Sequence, residues 1–427
     1  MNARVVAADL LQCLSRSERD WPSSRVFADT LLERALASSQ LSKVDRALAT
    51  ELFYGCLRQR LALEFLRGQL TRKPPRATVA SLIDLGLYQL FFLKKIPAHA
   101  AVHEMVELTK ERASADEAKF ANAVLRRAAR ERASLLAALR EKRQMEPWVY
   151  YSHPRWLWER WVTRWGREQT EALCEWNNTP PPVYLRVNML KIAGKPSDIV
   201  AEPVAFHPLA WKVADPAELF RTKSLANGEF YIQDPSTLIA VDVLDPQPGE
   251  SVLDMCAAPG GKTTYIAQKM QNRGRIIAAD SSNSRLGLVV ENCKRLGVTI
   301  VTTFALPRTE RLDGSLRNAQ FDRVLVDAPC SNTGVLRRRV DLRWRIEEKE
   351  IARLTALQEK LLAAAARLTR PGGVLVYSTC SLEREENERV AERFSRQHPE
   401  FTLETTRSMF PPRDNVDGAF VALFRRR

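Results

Sequence analysis

The sequence predicts a multidomain protein, an all-α N-terminal domain followed by a doubly wound α/β domain. Three observations carry this. The first third is patterned at helical period, the last two-fifths alternate strand-like and helical runs, and the chain's 427 residues exceed what one hydrophobic core usually organises. The expected division is 1–143, all-α; 144–240, a linker and small mixed segment; and 241–427, the α/β domain.

In the first part, "ARVVAADLLQCL", "VFADTLLERAL", "KVDRALATELFYGCLRQRLALEFLRG", "ATVASLIDLGLYQLFFL", "AVHEMVELTKE" and "KFANAVLRRAARERASLLAALREKR" space apolar residues three and four apart. Prolines in "RKPPRA" and "KKIPAH" separate them, because proline lacks a backbone donor and turns the preceding residue away from the α region. "EPWVYYSHPRWLWERWVTRWG" then holds five of the nine tryptophans. Trp158, Trp161 and Trp165 are predicted to form the buried stripe of one helix, although tryptophans among arginines also suit base stacking.

From residue 247 the runs "ESVLDM", "GRIIAAD", "VTIVTTF", "FDRVLVDAP" and "GGVLVYSTC" read as strands, with helices such as "KTTYIAQKMQ" and "SRLGLVVENCKRLG" between them. That rhythm predicts a parallel sheet, whose ligands lie beyond the carboxyl ends of its strands.

Composition narrows the function. A formal charge of +14 with a pI near 9.6 suits a polyanionic partner such as nucleic acid. No apolar stretch approaches the roughly 20 residues of a membrane span, and the first twenty residues lack a signal peptide's order, so a cytoplasmic protein without membrane partner is expected. The seven cysteines (13, 56, 174, 256, 293, 330 and 380) show no C-x-x-C pair and are read as reduced thiols. His99 and His103 stand one helical turn apart without an evident third ligand, so no metal is expected.

Chemistry concentrates at the strand ends. "LDMCAAPGGKTT" sets a strand before a small glycine turn that opens a helix, presenting backbone N–H groups to a ligand. A phosphate-binding Walker loop would need glycine at Cys256, and a dinucleotide G-x-G-x-x-G is absent. Asp280 closes the next strand, where doubly wound folds place a carboxylate for ribose hydroxyls. The features suit an adenosyl ligand without polyphosphate, and S-adenosylmethionine fits best. Two thiols, Cys330 in "DAPCSNTG" and Cys380 in "YSTCS", end two further strands.

"DMCAAPGGKTT", "DAPCSNTG" and "VYSTCSLEREEN" closely resemble the three signature motifs of the RNA cytosine-5 methyltransferases. "DRALATELFYGCLRQR", "LGLYQLFFLKKIPAHAAVHE" and "NAVLRR" resemble the NusB-like RNA-binding domain that opens the bacterial small-subunit ribosomal RNA enzymes of that family. "LRVN" and "FYIQDPST" are similar to the segment leading into its catalytic domain, and "DGAFVALF" to its last strand.

The resemblance implies a Rossmann-like class I methyltransferase domain and methylation of cytosine C5 in RNA, most simply small-subunit ribosomal RNA. It makes Cys380 the nucleophile and Cys330 the group that helps release product, with Asp327 at the cytosine N3 and amino edge and Lys262 orienting groups or lowering a thiol pKa. S-adenosylmethionine would be held by Cys256, Ala257, Ala258, Pro259, Gly260, Gly261, Lys262, Asp280 and Asp327. In "GVLRRRVDLRW", Arg337, Arg338, Arg339 and Arg343 are expected on a loop beside the site, facing RNA phosphates.

The chain departs from the family in three places. It has Leu306 near where the family usually has Gly-Asp, leaving Glu310 as a substitute; Val340 replaces a usual proline; and the segment between "LRVN" and "FYIQDPST" is short. A monomer is expected. The rival classes are a non-catalytic RNA-binding assembly factor and an exocyclic amino methyltransferase; the second would want an (N/D)-P-P-(Y/F) motif where this chain has "DAPC".

Overall fold

The computed structural model describes residues 2–17, 27–306 and 319–427. The chain forms two compact units, Met1–Pro180 with Leu336–Ile346, and Pro181–Val335 with Glu347–Arg427.

The first unit is all-α. Helices Ala3–Ser17, Ala28–Ser38, Lys43–Arg58, Arg60–Leu70, Ala77–Phe92, Ala98–Arg112, Ala115–Arg130 and Arg132–Met145 follow the periodic runs of the sequence. Ala77–Phe92 is apolar on nearly every side and is the central helix: Leu82, Ile83, Leu85 and Leu87 are fully buried against Leu52, Phe53, Leu63 and Met105. Two runs that read as single helices are each broken, at Gln59 and at Glu131, which leave helical backbone angles. At the first break the hydroxyl of Ser152 accepts the Leu61 N–H, satisfying a donor that the interrupted helix leaves open.

Helix Arg155–Asn177 carries the tryptophan stripe. Trp158 and Trp161 are buried, as the spacing predicts, whereas Trp165 is half-exposed. Gly166 (φ +80°) kinks the helix just after it and ends the stripe.

The second unit holds two sheets. Strands β1 (Tyr184–Val187), β2 (Ala201–Pro203), β3 (Ala210–Val213) and β4 (Phe230–Ile232) form an antiparallel sheet in the order β2-β3-β1-β4, in the segment whose structure the sequence left open. Strands β5 (Ser251–Met255), β6 (Arg275–Asp280), β7 (Val301–Ala305), β8 (Phe321–Asp327), β9 (Thr369–Thr379), β10 (Phe401–Met409) and β11 (Ala419–Arg426) form the main sheet, in the order β10-β11-β9-β8-β5-β6-β7.

All neighbours from β9 to β7 run parallel, and β11 is antiparallel to both β9 and β10. Strand order reverses between β5 and β8, so a crevice is expected above their carboxyl ends. Valines and leucines of β5, β8 and β9 are buried, as strands covered on both faces require. Helices Gly261–Lys269, Asn283–Leu296, Glu348–Leu368 and Glu388–Gln397 connect or follow these strands.

Among the described residues, no helix is long and apolar enough to cross a membrane, and no group of three or more His, Cys, Asp or Glu is placed to hold a metal ion.

Candidate active site

β8 and β9 are parallel neighbours with Asp327 opposite Ser378, so their carboxyl ends rise side by side. Cys330 lies three residues past the end of β8, and Cys380 follows β9 directly. Their sulfurs consequently meet, with Cys330 Sγ 3.4 Å from Cys380 Sγ. Cys330 is buried and Cys380 half-buried.

The two loops interlock around the thiols. Gly334 N–H donates to the Cys380 carbonyl, and a Cβ at Gly334 would stand 2.7 Å from that carbonyl oxygen, so only glycine allows the approach. Asn332, at φ +60°, donates its amide to the Cys330 carbonyl, and the Cys380 thiol donates to Asn332 Oδ1 at 3.2 Å. Its hydrogen bond with Cys380 and its burial both push the Cys330 thiol well upward, so Cys330 keeps its proton at neutral pH.

Lys262 opens helix Gly261–Lys269, and its Nζ lies 2.7 Å from Asp327 Oδ2 at the end of β8. Burial works against its charge, but the attraction and hydrogen bond of Asp327 outweigh it and hold the ammonium above its usual pKa. Behind this pair Asp254 is fully buried; Thr263 donates to its Oδ2 while Oδ1 has no partner. Burial, reinforced by Asp327 and opposed by Thr263 and Lys262, raises the Asp254 carboxyl to about 7.

The glycine turn has the form its sequence predicts. Cys256 (φ +62°) and Gly260 (φ +102°) take left-handed angles, and a side chain at Gly260 would press on Val289. Burial and the Asp280 carboxylate push the Cys256 thiol upward, so it stays protonated. Asp280 is buried beside the turn: Oδ2 accepts from Ala258 N–H at 3.2 Å and Oδ1 from Ser282 N–H at 3.0 Å. Each oxygen keeps a further lone pair for a ligand hydroxyl.

Arg186 of β1 braces the turn from beneath. Fully buried, it donates to Gln233, to the Gly261 carbonyl at 2.6 Å and to Thr264, with its guanidinium over the Tyr231 and Tyr265 rings.

Leu336–Ile346, which carries the arginines of "GVLRRRVDLRW", belongs to the helical unit, and one of the four, Arg343, departs from the sequence expectation. Arg343 is fully buried; its guanidinium donates to the carbonyls of Ser152 and Asn177 and to Asn178 Oδ1, so the expected phosphate contact is closed to it. The Arg337 guanidinium covers the Trp176 ring at 4.1 Å and donates to the carbonyls of Thr179 and Pro180. Arg338 is half-buried; Arg339 is exposed, with Phe27 as its ring neighbour.

Val340, where the resembled family carries proline, is buried in the helical core. Leu306 donates its N–H to the Asp280 carbonyl, and Glu310 lies outside the described residues. Sequence reading missed Asn332, Asp254 and Arg186, and it missed Glu386, which sits beneath the thiols. "LEREENER" looks like a surface charge run, and nothing local distinguishes its buried carboxylates, Glu383 and Glu386, from the others.

Sheet order, glycine turn and strand-end Asp280 together define the catalytic domain of a Rossmann-like methyltransferase. Residues 241–425 match the family described as 16S rRNA methyltransferase RsmB/F, residues 1–130 the NusB family, and residues 153–196 the ferredoxin-like domain of RsmF/B-like methyltransferases.

The probable ribosomal RNA small subunit methyltransferase B of Bacillus subtilis is 37% identical over 388 residues, spanning 88% of this chain and 86% of its own length. The ribosomal RNA small subunit methyltransferase B of Klebsiella pneumoniae is 36% identical over 411 residues, 91% of this chain and 92% of that one. A methyltransferase homolog protein from Pyrococcus horikoshii has a TM-score of 0.57 at 30% identity, covering 66% of this chain and 97% of that structure. The crystal structure of PH0851 shares the fold, with a TM-score of 0.78 over 99% of each chain at 24% identity. The chain belongs to the RsmB/F family of methyltransferases.

Proposed function

We propose that this enzyme transfers a methyl group from S-adenosylmethionine to C5 of a cytosine in small-subunit ribosomal RNA, and so works in the cytoplasm. The observation that carries this reading is the meeting of Cys330 and Cys380 at 3.4 Å beside the Lys262–Asp327 pair. The names of the relatives support the RNA substrate, and the charge of +14 supports a polyanion.

C5 of cytosine is a weak nucleophile. Addition of a thiolate at C6 makes it enamine-like, and a cysteine is suited to that addition and to leaving afterwards. Cys380 is the more exposed thiol and takes this role, while Cys330 holds its proton. Asp327 accepts a hydrogen bond from the cytosine exocyclic amino group and orients the ring, N3 takes a proton from solvent as thiolate addition places charge on it, and Lys262 holds the Asp327 carboxylate in place. A solvent water takes the C5 proton, the electrons of that C–H bond reform the C5–C6 double bond and the C6–S bond breaks; the Cys330 S–H, in hydrogen-bond contact, steadies the departing Cys380 sulfur.

S-adenosylmethionine supplies, when bound, an electrophilic methyl group on a sulfonium. The residues fit it: Cys256–Lys262 offer a glycine turn at a helix start, Asp280 offers lone pairs for ribose hydroxyls, and Asp327 borders the same crevice.

The test is transfer from labelled S-adenosylmethionine to unmethylated small-subunit ribosomal RNA, with the product base identified by mass spectrometry. Label as 5-methylcytosine is expected. Label on the exocyclic amino group, or RNA binding without transfer, would overturn the reading in favour of an amino methyltransferase or a non-catalytic assembly factor.

A further inference from the structure

Glu386 occupies a place that the reaction scheme leaves unused. It is fully buried beneath the two thiol loops. Its Oε1 accepts from Ser331 N–H at 2.9 Å and from Gln358 Nε2 at 3.0 Å; its Oε2 accepts from the hydroxyls of Ser331 and Ser381. Ser331 directly follows Cys330 and Ser381 directly follows Cys380, so one carboxylate is bonded to the neighbour of each thiol.

The surroundings tighten the arrangement. The two serine hydroxyls lie 3.0 Å apart, and Gln358 Nε2 also donates to the Pro329 carbonyl, on the other side of Cys330. Tyr377 of β9 donates to the Glu386 carbonyl at 2.6 Å, fixing the residue's backbone to the strand that carries Cys380. These donors to the carboxylate are all neutral. A carboxylate buried among neutral donors is held only by its hydrogen bonds, which are shorter and about twice as strong as neutral ones.

From this we infer that Glu386 is a positioning residue, a clamp that sets the separation of the Cys330 and Cys380 sulfurs. The inference rests on reading both cysteines as reacting thiols. Cys330 acts on the sulfur of Cys380, so the step depends on holding the two at hydrogen-bond distance, and a misplacement of about 1 Å costs on the order of 10²-fold in rate. Each thiol loop has its own turn; the shared carboxylate, with Gln358 and the Gly334 contact, ties one loop to the other.

The experiment measures the separation without RNA. Phenylarsine oxide bridges two thiols a few ångströms apart, forming two As–S bonds and releasing water. In the full-length wild-type protein one arsenical should map to the peptides of Cys330 and Cys380 and resist excess monothiol. Glu386→Ala should lose this bridge while both cysteines still react singly with N-ethylmaleimide. Its kcat should fall about 10²-fold, with KM for RNA and cofactor within about twofold, and Glu386→Gln should recover at least about a tenth of wild-type turnover.

Should Glu386→Ala fail to fold, Ser331→Ala carries the test, with the same direction and about a tenfold loss. Bridging and kcat unchanged well below the melting midpoint, whatever the change in stability, would overturn the clamp. So would a wild-type protein that does not bridge. A wild-type protein that bridges yet methylates no cytosine would leave the clamp standing and overturn the proposed reaction instead.

Discussion

The Lys262 ammonium and the Asp327 carboxylate, 2.7 Å apart, join the first turn of a helix to the end of β8 at the mouth of the thiol site. Lys262→Met should lower kcat about 10²-fold, since Asp327 would lose the partner that orients it. Because Asp327 lifts the Lys262 pKa in the folded protein, the pair is complete below the usual lysine value of about 10.4 and is lost only as pH rises through the raised one. The pH profile of kcat/KM should accordingly show no descending limb from Lys262 between pH 6 and about 9. A lysine-type limb near neutrality, absent in the variant, would contradict the pairing.

Asp254 gives a pH dependence of the same sign in a lower window. Its carboxyl, raised to about 7 by burial, binds a proton that the unfolded chain has already released above about pH 4. Stability from this group is therefore full at low pH and declines as pH rises towards 7. Thermal melting followed from pH 5 to 8 should show this decline in the wild type and a flatter curve in Asp254→Asn. Parallel curves would refute it.

Arg343 and Arg339 separate structure from RNA contact. Removing the buried Arg343 leaves the carbonyls of Ser152 and Asn177 without their donor, and Arg343→Ala should destabilise the helical unit by about 2 to 4 kcal/mol. The salt slope of RNA binding should stay the same. Exposed Arg339→Ala should do the reverse, keeping the melting temperature and reducing the slope of log K against log salt by about 0.7 to 0.9. A lowered slope in folded Arg343→Ala would return that residue to the RNA surface.

These arginines also mark the limit of what the sequence discloses. The strands of the α/β domain were legible because buried parallel strands are short Val- and Leu-rich runs, and the thiols because each ends one. That β8 and β9 are adjacent, and so bring Cys330 to Cys380, follows from sheet order, to which local pattern is blind. "RRRVDLRW" reads as a charged, solvated stretch; its membership of the helical unit depends on carbonyls of Ser152 and Asn177, far away in the chain. Glu386 was hidden likewise, since its partners Ser331 and Gln358 lie on other elements. The helix breaks at Gln59 and Glu131 carry neither proline nor glycine and escape a period-based reading.

Asp280 tests the cofactor assignment. Its carboxylate already holds the Ala258 and Ser282 N–H groups, so Asp280→Ala loses both the brace of the glycine turn and the ribose acceptor. S-adenosylmethionine binding measured by calorimetry should weaken by about 1 to 3 kcal/mol. Unchanged affinity would move the ribose elsewhere.

The central claim is that the two sulfurs 3.4 Å apart perform different steps. Denaturing gel electrophoresis of Cys380→Ala and Cys330→Ala, each incubated with S-adenosylmethionine and unmethylated small-subunit ribosomal RNA, tests it most directly. Cys380→Ala should give neither a covalent protein–RNA species nor methylation, because nothing attacks C6. Cys330→Ala should attack and methylate but release slowly, so that a protein–RNA band survives denaturation. A band with Cys380→Ala and none with Cys330→Ala would reverse the roles, and full turnover by both variants would contradict the covalent mechanism altogether.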